Sequence, residues 1–546
     1  MTYAVLDIET TLDHKHIHGA GLYIPTTGAL TWFDSATSLS SGMSGVTHIV
    51  GHNLQHFDLP VLRDVWGWTW DGEIVDTLVL ARLINPAKGH NSLKAIAERA
   101  GGELKDDFDK ADFDGPVTQK MIDYCLQDCV ANWDAYQFLL KEWDAYKFKG
   151  ECLELEHECS RIVRKQEENG FVFAYEDAAH FYAQQKERMN EIDQSLKETF
   201  PPIVTERWSE KTGKRLKDHV EEFNVASRQQ IARRLEGKGA KWKKRTEKGA
   251  VVVDENTLAD NSHVPEASLV LEYLTLGKRS AMVLSWLKAY EDDGRIHGYV
   301  NTCGAVTGRM THARPNMAQI PSDSDYRTFF TVPEGHKLVG CDASGLELRM
   351  LAHYMKDDEF ISELLEGDIH TANQQAFGCD TRNQAKTLIY ALLYGAGDAK
   401  LGATVGGNTK RGSQMRASYE KRWPAYQRLN AKIQKIAQCG TIPGLDGRRL
   451  HVRSGHAALN TLLQSAGAIV MKKALVLAEQ KLDTYGYPYK FVANVHDEFQ
   501  LEVPEQYADR VGACVRNAIR EAGRQLDLRC PLDGEYMVGD NWSHTH

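Results

Sequence analysis

The sequence predicts a multidomain fold, an α/β unit followed by a larger α+β unit, and three observations carry that prediction. The 546 residues exceed what one hydrophobic core usually organises. The first 145 alternate strand-like runs, TYAVLDIE and THIVGHN, with helical ones, NSLKAIAERA and KMIDYCLQDCVANWDAYQFLLKEW, as an α/β layer does. The last 250 mix strands and helices without that alternation. Between these parts, Glu151 to about Phe200 repeats apolar residues at helical spacing in a charged background, which predicts long surface helices. Glycines and basic residues punctuate the chain to about Gly249, and helical periodicity resumes in LEYLTLGKRSAMVLSWLKAY. There is no internal repeat and no low-complexity tract.

Composition narrows the class. Charged residues at 26%, hydrophobic residues at 42% and 11 Trp describe a soluble globular protein. No run of eighteen apolar residues predicts a membrane span, and MTYAVLDIET has neither a basic region nor a cleavage site that would mark it for export. The ten Cys include no C-x-x-C pair. Cys125 and Cys129 share a helical spacing but lack clustered His for a zinc site, so reduced cytosolic thiols are expected. The net charge of -10 argues against a polyanionic partner only if charge is evenly spread. It is not: Arg228 to Lys248 holds nine Lys or Arg against Glu236 and Glu247, a local balance of +7. A solvated face is the usual explanation of such a run, but the interleaved Trp242 and the acidic remainder favour contact with phosphates.

In AVLDIET, Asp7 and Glu9 are two apart, so on a strand they share one side while Leu6 and Ile8 take the other. Two carboxylates on one face of a buried strand repel, and burial pushes a proton onto one of them unless a cation lies between. Asp58 follows an apolar strand in GHNLQHFDLP, and Tyr124 and Asp128 share a helical face in DYCLQDCVANW. Any one of these side chains is more often structural than catalytic. Four acids in this order in one α/β unit resemble the DEDDy-type 3′→5′ exonucleases, whose domain is RNase H-like. The resemblance implies that Asp7, Glu9, Asp58 and Asp128 hold two divalent ions roughly 4 Å apart, with Tyr124 orienting the attacking water.

A second set lies downstream. FVANVHDEFQLEV reads as two buried strands joined by a tight hairpin whose tip is His496, Asp497 and Glu498. Hairpin tips ordinarily use Asn-Gly or Asp-Gly; no Gly is present, and on this segment alone a solvated turn and a functional tip are equally good readings. In KLVGCDASGLELRMLAHYM, Asp342 ends a short apolar strand just before a helix. A pair of metal ions between Asp342 and Asp497 accounts for the acids at the tip, and Mg²⁺ suits oxygen ligands and phosphates. Between them, Arg382, Lys386, Tyr390 and Tyr394 recur every four residues, one stripe of a helix that Asp380 or Thr381 could cap. A positive helix end near Arg382 and Lys386 fits a triphosphate.

In order along the chain, DASGLELR, RNQAKTLIYALLYG and VHDE match motifs A, B and C of family A DNA polymerases. CGAVTGRMTHARPNMAQIP, GDIHTANQ and GLDGRRLHVRSGHAALNTLLQSAGA resemble in particular the replicative polymerases of short-tailed bacteriophages, and with the exonuclease motifs the resemblance spans nearly the whole chain. It implies a right-handed polymerase after the exonuclease domain: exonuclease at 1–147, thumb and connecting helices at 148–290, palm at 291–368, fingers at 369–445 and the second part of the palm at 446–546. By similarity Asp342, Asp497 and the Ala343 carbonyl bind two Mg²⁺, with Mn²⁺ able to substitute there and in the exonuclease. Arg382, Lys386 and His370 hold the triphosphate, and Lys386 donates a proton to pyrophosphate. Glu347 is the implied steric gate against a ribose 2′-hydroxyl. Tyr390 stacks on the incoming sugar, Tyr there rather than Phe implying acceptance of dideoxynucleotides, and Tyr394 closes over the templating step. Arg309, His456, Asn460, Gln464 and His496 are implied DNA contacts; minor-groove acceptors occur in every base pair, so donors there test pair geometry without reading sequence. Asn224, Ser227 and Gln230 resemble duplex contacts near the thumb.

The implied partners are primer–template DNA, dNTPs and a helicase–primase of the same phage, for a monomer working in the cytoplasm of an infected bacterium, away from membranes. Phage enzymes that borrow thioredoxin carry a long thumb insertion; the short stretch from Phe200 to Asn224 argues against that partner here. The chain starts directly at the exonuclease strand, which leaves no room for a 5′-nuclease domain. The final GDNWSHTH resembles the family's terminal NW segment but runs longer, so little is assigned to His546. A dedicated exonuclease, or a non-catalytic primer–template clamp, is the competing reading, and each needs Asp342, Lys386 and Asp497 to be ornamental.

Overall fold

In the computed structural model, which describes residues 1–86, 91–101, 113–322 and 324–546, the chain divides into two units: Met1–Phe171 with Gly298–His546, and Val172–His297. The first unit begins with a five-stranded sheet of β1 (Tyr3–Thr10), β2 (Ile17–Ile24), β3 (Ala29–Phe33), β4 (His48–Gly51) and β5 (Glu73–Asp76), ordered β3-β2-β1-β4-β5. β1 runs antiparallel to β2 and parallel to β4. Its period-two pattern divides two cores. Ala4, Leu6 and Ile8 pack with Leu22, Ile49 and Leu62, the last from α1 (Asp58–Trp66). Val5 packs on the other side with Cys129, Ala135 and Leu139 of α2 (Gln119–Tyr146). Opposite Asp7 in the β1–β2 register stands Gly21, and a Cβ there would lie 2.9 Å from the Cys125 sulfur. The missing side chain is what lets α2 settle this close to the sheet.

α3 (Gly150–Asn169) departs from the expected surface helix. Cys159, Ile162 and Val163 enter the main core, and Glu156 is wholly buried. Charge misled here because its partners are distant in sequence: Glu156 Oε1 lies 2.5 Å from Lys472 Nζ and 2.8 Å from Arg448 Nη1, and Arg448 also pairs with Asp446 at 2.6 Å. α3, grouped by the sequence with 148–290, thus packs in the first unit rather than with Val172–His297.

The second unit comprises α4 (Tyr175–Thr199), the hairpin strands β6 (Ile203–Trp208) and β7 (Arg215–Glu221), α5 (Arg228–Glu236) and α6 (Pro265–Ala289). Its core joins Ile192, Leu196, Phe200, Phe223, Ile231 and Val270. The β6–β7 hairpin fills the stretch between Phe200 and Asn224. It escapes sequence reading because Val204, Trp208, Leu216 and Val220 are exposed among charges, leaving no one-sided pattern.

Returning to the first unit, β8 (His336–Ala343), α7 (Leu346–Met355), α8 (Ile369–Phe377), α9 (Arg382–Leu393) and α10 (Ala458–Tyr485) precede β9 (Lys490–Val495), β10 (Glu498–Pro504), α11 (Ala508–Gln525) and β11 (Gly534–Gly539). The four strands form an antiparallel sheet ordered β9-β10-β8-β11. Val470 and Leu475 of α10, with Val515 and Ile519 of α11, share one core with Val339, Phe499 and Leu501 of the sheet. Gly455–Tyr485 is long and apolar enough to cross a membrane, but its most apolar window is 89% buried in this core.

Candidate active sites

Two acid clusters lie in the first unit. At the first, Asp7 and Glu9 project from β1 on the α2 side as their spacing predicts. Asp58, at the start of α1, accepts the Ile8 N–H at 3.2 Å, which draws its carboxylate to the same strand. Tyr124 and Asp128 share a hydrogen bond on α2. Burial raises all four carboxyls, and mutual repulsion adds to it at Asp7, Glu9 and Asp58. Burial, then Asp128, raises Asp7 to about 8, and burial, then Asp7, raises Glu9 to about 9. Burial, then Asp7, lifts Asp58 well above the carboxylate range. Burial brings Asp128 to about 6 against the opposing Tyr124 hydrogen bond. An oxygen-rich, buried donor set whose protons a divalent ion would displace fits hard cations such as Mg²⁺ or Mn²⁺.

Cys125, which lacks clustered histidines in the sequence, joins this cluster. Its sulfur sits 3.6 Å from both the Asp7 carbonyl and Asp7 Oδ2, and its Sγ, Asp7 and Glu9 present ligand atoms all within 4.8 Å of one another. Its position next to Tyr124 was the available signal; the approach of α2 at Gly21 was not legible.

The second cluster is assembled by the β8–β10 register. Asp342 stands opposite Glu498, and the Ala343 N–H donates to the Asp497 carbonyl at 3.0 Å. The hairpin tip is a two-residue turn in which His496 takes φ +57°, a left-handed conformation that Gly would otherwise supply. Burial, then Asp497 and Glu498, raises Asp342 to about 7, and burial, then Glu347, raises Asp497. Arg309 offsets part of this repulsion, yet burial and the neighbouring acids still raise both carboxyls, and such an oxygen donor set suits Mg²⁺. Glu347, in the first turn of α7, accepts a hydrogen bond from the Tyr394 hydroxyl at 3.2 Å and lies 3.4 Å from Arg309 Nη2. Burial, then Glu347, pushes the Tyr390 phenol to about 12. Asp342, Asp497, Glu347, Arg309, Tyr390 and Tyr394 are thus one neighbourhood.

Glu498 belongs to a different set of contacts. It accepts from Trp542 Nε1 at 2.5 Å, lies 2.8 Å from His546 Nδ1 and 3.6 Å from Arg327, whose guanidinium covers the Trp542 ring. Gln500 donates to it as well. Burial would raise Glu498, but the His546 and Gln500 hydrogen bonds and the Arg327 charge outweigh it and hold the group below its ordinary value. This carboxylate is committed to the C-terminal segment, so His546 has a partner that the sequence reading did not assign.

α9 presents Arg382, Lys386 and Tyr390 on one face, with Ala385, Leu388, Ile389 and Leu392 buried on the other. Of the two proposed caps it uses Thr381, in a reciprocal box with Gln384. Burial, then Arg382 and Lys386, lowers His370, which places the imidazole near both cations; its Nδ1 is buried without a hydrogen-bond partner among the described residues. Asn460 and Gln464 lie half-buried on α10, but exposed His456 sits in a separate 3₁₀ turn, Gly455–Ala457, so the spacing of four does not describe one continuous α-helical face. Exposed His496 is near Arg309, whose charge, after burial, lowers it. In the second unit, Asn224, Ser227 and Gln230 engage one another. Ser227 caps α5 through the Gln230 N–H at 3.4 Å, and Gln230 Oε1 accepts the Asn224 N–H at 2.7 Å.

Arg309 leaves a tight turn in which Gly308 has φ +74°. A Cβ at Gly308 would stand 2.7 Å from Arg448 Nη1. Gly308→Ala is therefore expected to cost at least ~1–2 kcal/mol from backbone conformation alone, with displacement of the buried Arg448 in addition; the urea midpoint measures it.

A model of the family described as DNA polymerase family A matches residues 196–544. The DNA-directed DNA polymerases of Enterobacteria phage T3 and Escherichia phage T7 are each 33% identical to this chain, across 91% of it and 92% of their own length. DNA polymerase I of Aquifex aeolicus is 30% identical, over 61% of each chain. Among solved structures, the POL domain of Pol1 from M. smegmatis, in complex with DNA primer-template and dNTP, aligns with a TM-score of 0.84 and 20% identity, covering 99% of this chain and 96% of that one. At that identity the likeness speaks for the fold.

Proposed function

This chain belongs to DNA polymerase family A and is a DNA-directed DNA polymerase similar to those of phages T3 and T7, and from that premise we propose a replicative enzyme with two centres. One, around Asp342 and Asp497, extends a primer 3′ end; the other, at Asp7, Glu9, Asp58 and Asp128, removes mispaired ends. The observation that carries this reading is the Ala343 N–H to Asp497 carbonyl bond of 3.0 Å, which joins two motifs remote in sequence at one end of the two central strands of the sheet. Residues 1–147 would serve as the exonuclease domain, 148–290 as thumb and connecting helices, 291–368 and 446–546 as palm and 369–445 as fingers.

Asp342, Asp497 and the Ala343 carbonyl would hold two Mg²⁺, as would the four acids of the exonuclease, with Mn²⁺ able to replace them. When bound, such ions supply Lewis acids that neutralise the phosphate under attack and ease ionisation of the attacking hydroxyl or water. The chain's own residues do the rest. Arg382, Lys386 and His370 bind the triphosphate, and the Lys386 ammonium gives a proton to the departing pyrophosphate oxygen. Tyr390 packs on the incoming sugar, Tyr394 closes over the templating step, and Arg309, His456, Asn460, Gln464 and His496 test the minor groove. Asn224, Ser227, Gln230 and the basic run to Lys248 grip the duplex backbone. At the other centre Tyr124 orients water.

Base selection by contacts worth about 1–3 kcal/mol leaves errors that a second site must remove, which is why proofreading belongs on the same chain. The partners are primer–template, dNTPs and a helicase–primase of the same phage, for a monomer in the cytoplasm of the infected host. The short β6–β7 hairpin, where a thioredoxin-binding insertion would stand, supports a reading without thioredoxin.

The test is a 5′-labelled primer on a longer template with Mg²⁺: extension with dNTPs and shortening without them are expected, and failure to extend under any metal refutes the polymerase centre. Glu347→Ala is expected to admit ribonucleotides, because its carboxylate would fill the space of a 2′-hydroxyl. Unchanged sugar selectivity, measured with matched dNTP and rNTP, removes Glu347 from the gate.

A further inference from the structure

One carboxylate outside the assigned set touches two of its members. Asp368 caps α8: Oδ1 accepts the backbone N–H of His370 at 3.0 Å and of Thr371 at 3.3 Å, and Oδ2 accepts the Thr371 hydroxyl at 2.8 Å. The same two oxygens take Arg382 side-on, Nε to Oδ2 at 2.8 Å and Nη2 to Oδ1 at 3.2 Å. A guanidinium has five N–H donors in one plane. The Nε–Nη2 edge used here consumes two of them and leaves the Nη1–Nη2 edge, itself a bidentate fork matched to a phosphate. The pair is half exposed, so it contributes little to stability; what it fixes is direction.

We propose that Asp368 is a positioning residue for nucleotide binding: it locks the Arg382 guanidinium side-on so that the remaining edge is presented to the incoming triphosphate, and through the His370 backbone it sets the separation of the two side chains. This rests on the reading of Arg382 and His370 as triphosphate ligands. A purely electrostatic view makes the opposite forecast. Asp368 would then be a counter-charge that competes with the triphosphate, and removing it would tighten binding.

Asp368→Asn separates the two, since Asn caps a helix as well as Asp does but its amide cannot accept both guanidinium N–H groups. Single-turnover incorporation across dNTP concentration should give an apparent Kd raised about tenfold, the scale of one charge-assisted hydrogen bond lost. The melting temperature, primer–template affinity and exonuclease rate should stay unchanged. In an Arg382→Ala background, itself weakened for dNTP, Asp368→Asn should add nothing further. Tighter or unchanged dNTP binding in Asp368→Asn, or an equal loss in both backgrounds, overturns the proposal. If Arg382→Ala itself leaves dNTP affinity unchanged in an active enzyme, the triphosphate reading of Arg382 falls and the clamp falls with it; a weakened Arg382→Ala beside an unaffected Asp368→Asn removes the clamp alone.

Discussion

Asp497→Asn is expected to abolish primer extension while the same preparation shortens the primer at the wild-type rate, and Asp7→Ala is expected to do the reverse. Asn conserves the size of the hairpin tip, and the contact that places the tip, from the Ala343 N–H to the residue 497 carbonyl, is made by the backbone and survives the change. What disappears is one negative charge beside Asp342 and Glu347. Removing a preorganised electrostatic partner of the reacting groups costs roughly 10²–10³ in rate, and a metal ligand should reach at least the upper end of that range. At the other centre, Asp7 is the largest neighbouring charge acting on both Glu9 and Asp58. Its loss relieves their repulsion while breaking the donor set. Gel analysis of a labelled primer, with and without dNTPs, reads both activities. Loss of both together in either mutant contradicts separate centres. A wild-type chain that shortens but never extends supports the dedicated exonuclease, and one that does neither supports the clamp.

How much of this was legible depends on how far each signal reaches along the chain. The Asp7 and Glu9 side of β1 follows from a period of two, and the Arg382, Lys386, Tyr390 stripe from a period of four on a helix whose Thr381 cap is local. The hairpin at His496 and Asp497 was readable from alternation, although its turn uses a left-handed His where Gly was the expected signal. The partnership of Asp342 with Asp497 has no local trace. It depends on β10 lying between β9 and β8, a strand order that no residue spacing carries; the acids at the hairpin tip suggested the pairing only by needing a partner. The same limit explains the errors. α3 reads as a surface helix because the bases that neutralise Glu156 come from the segment at Arg448 and from α10, and the exposed apolar residues of β6 and β7 carry no pattern. Contacts of Glu498 with Arg327, Trp542 and His546 are likewise invisible until the sheet is built.

The buried cluster beneath α3 provides the largest expected change in stability. Glu156→Met should destabilise the fold by about 3–5 kcal/mol, the cost of stranding a buried charge by deleting its partner. Glu156 is wholly buried, with Arg448 and Lys472 each 2% exposed. Burial alone would raise the Glu156 carboxyl, yet the Lys472 and Arg448 charges hold it below its ordinary value, so the ionised form is the one the fold stabilises. Without it Arg448 keeps Asp446, whereas among the described residues Lys472 Nζ keeps only the Cys303 sulfur at 3.7 Å. Lys472 is therefore the group left without compensation, which makes the effect reversible by a second substitution. Replacing Lys472 by Met as well removes the stranded charge and restores an apolar fill of similar volume, and the double mutant should recover most of the loss, since buried ion pairs are often no better than hydrophobic replacements. Urea unfolding at constant m measures both steps. A double mutant as unstable as Glu156→Met would mean that lost packing, not an unpaired ammonium, sets the cost. Because Arg448 Nη1 also abuts Gly308, wild-type primer extension by the double mutant would further indicate that the Gly308 turn, and with it Arg309, stays in place without Glu156, with Arg448 still held by Asp446.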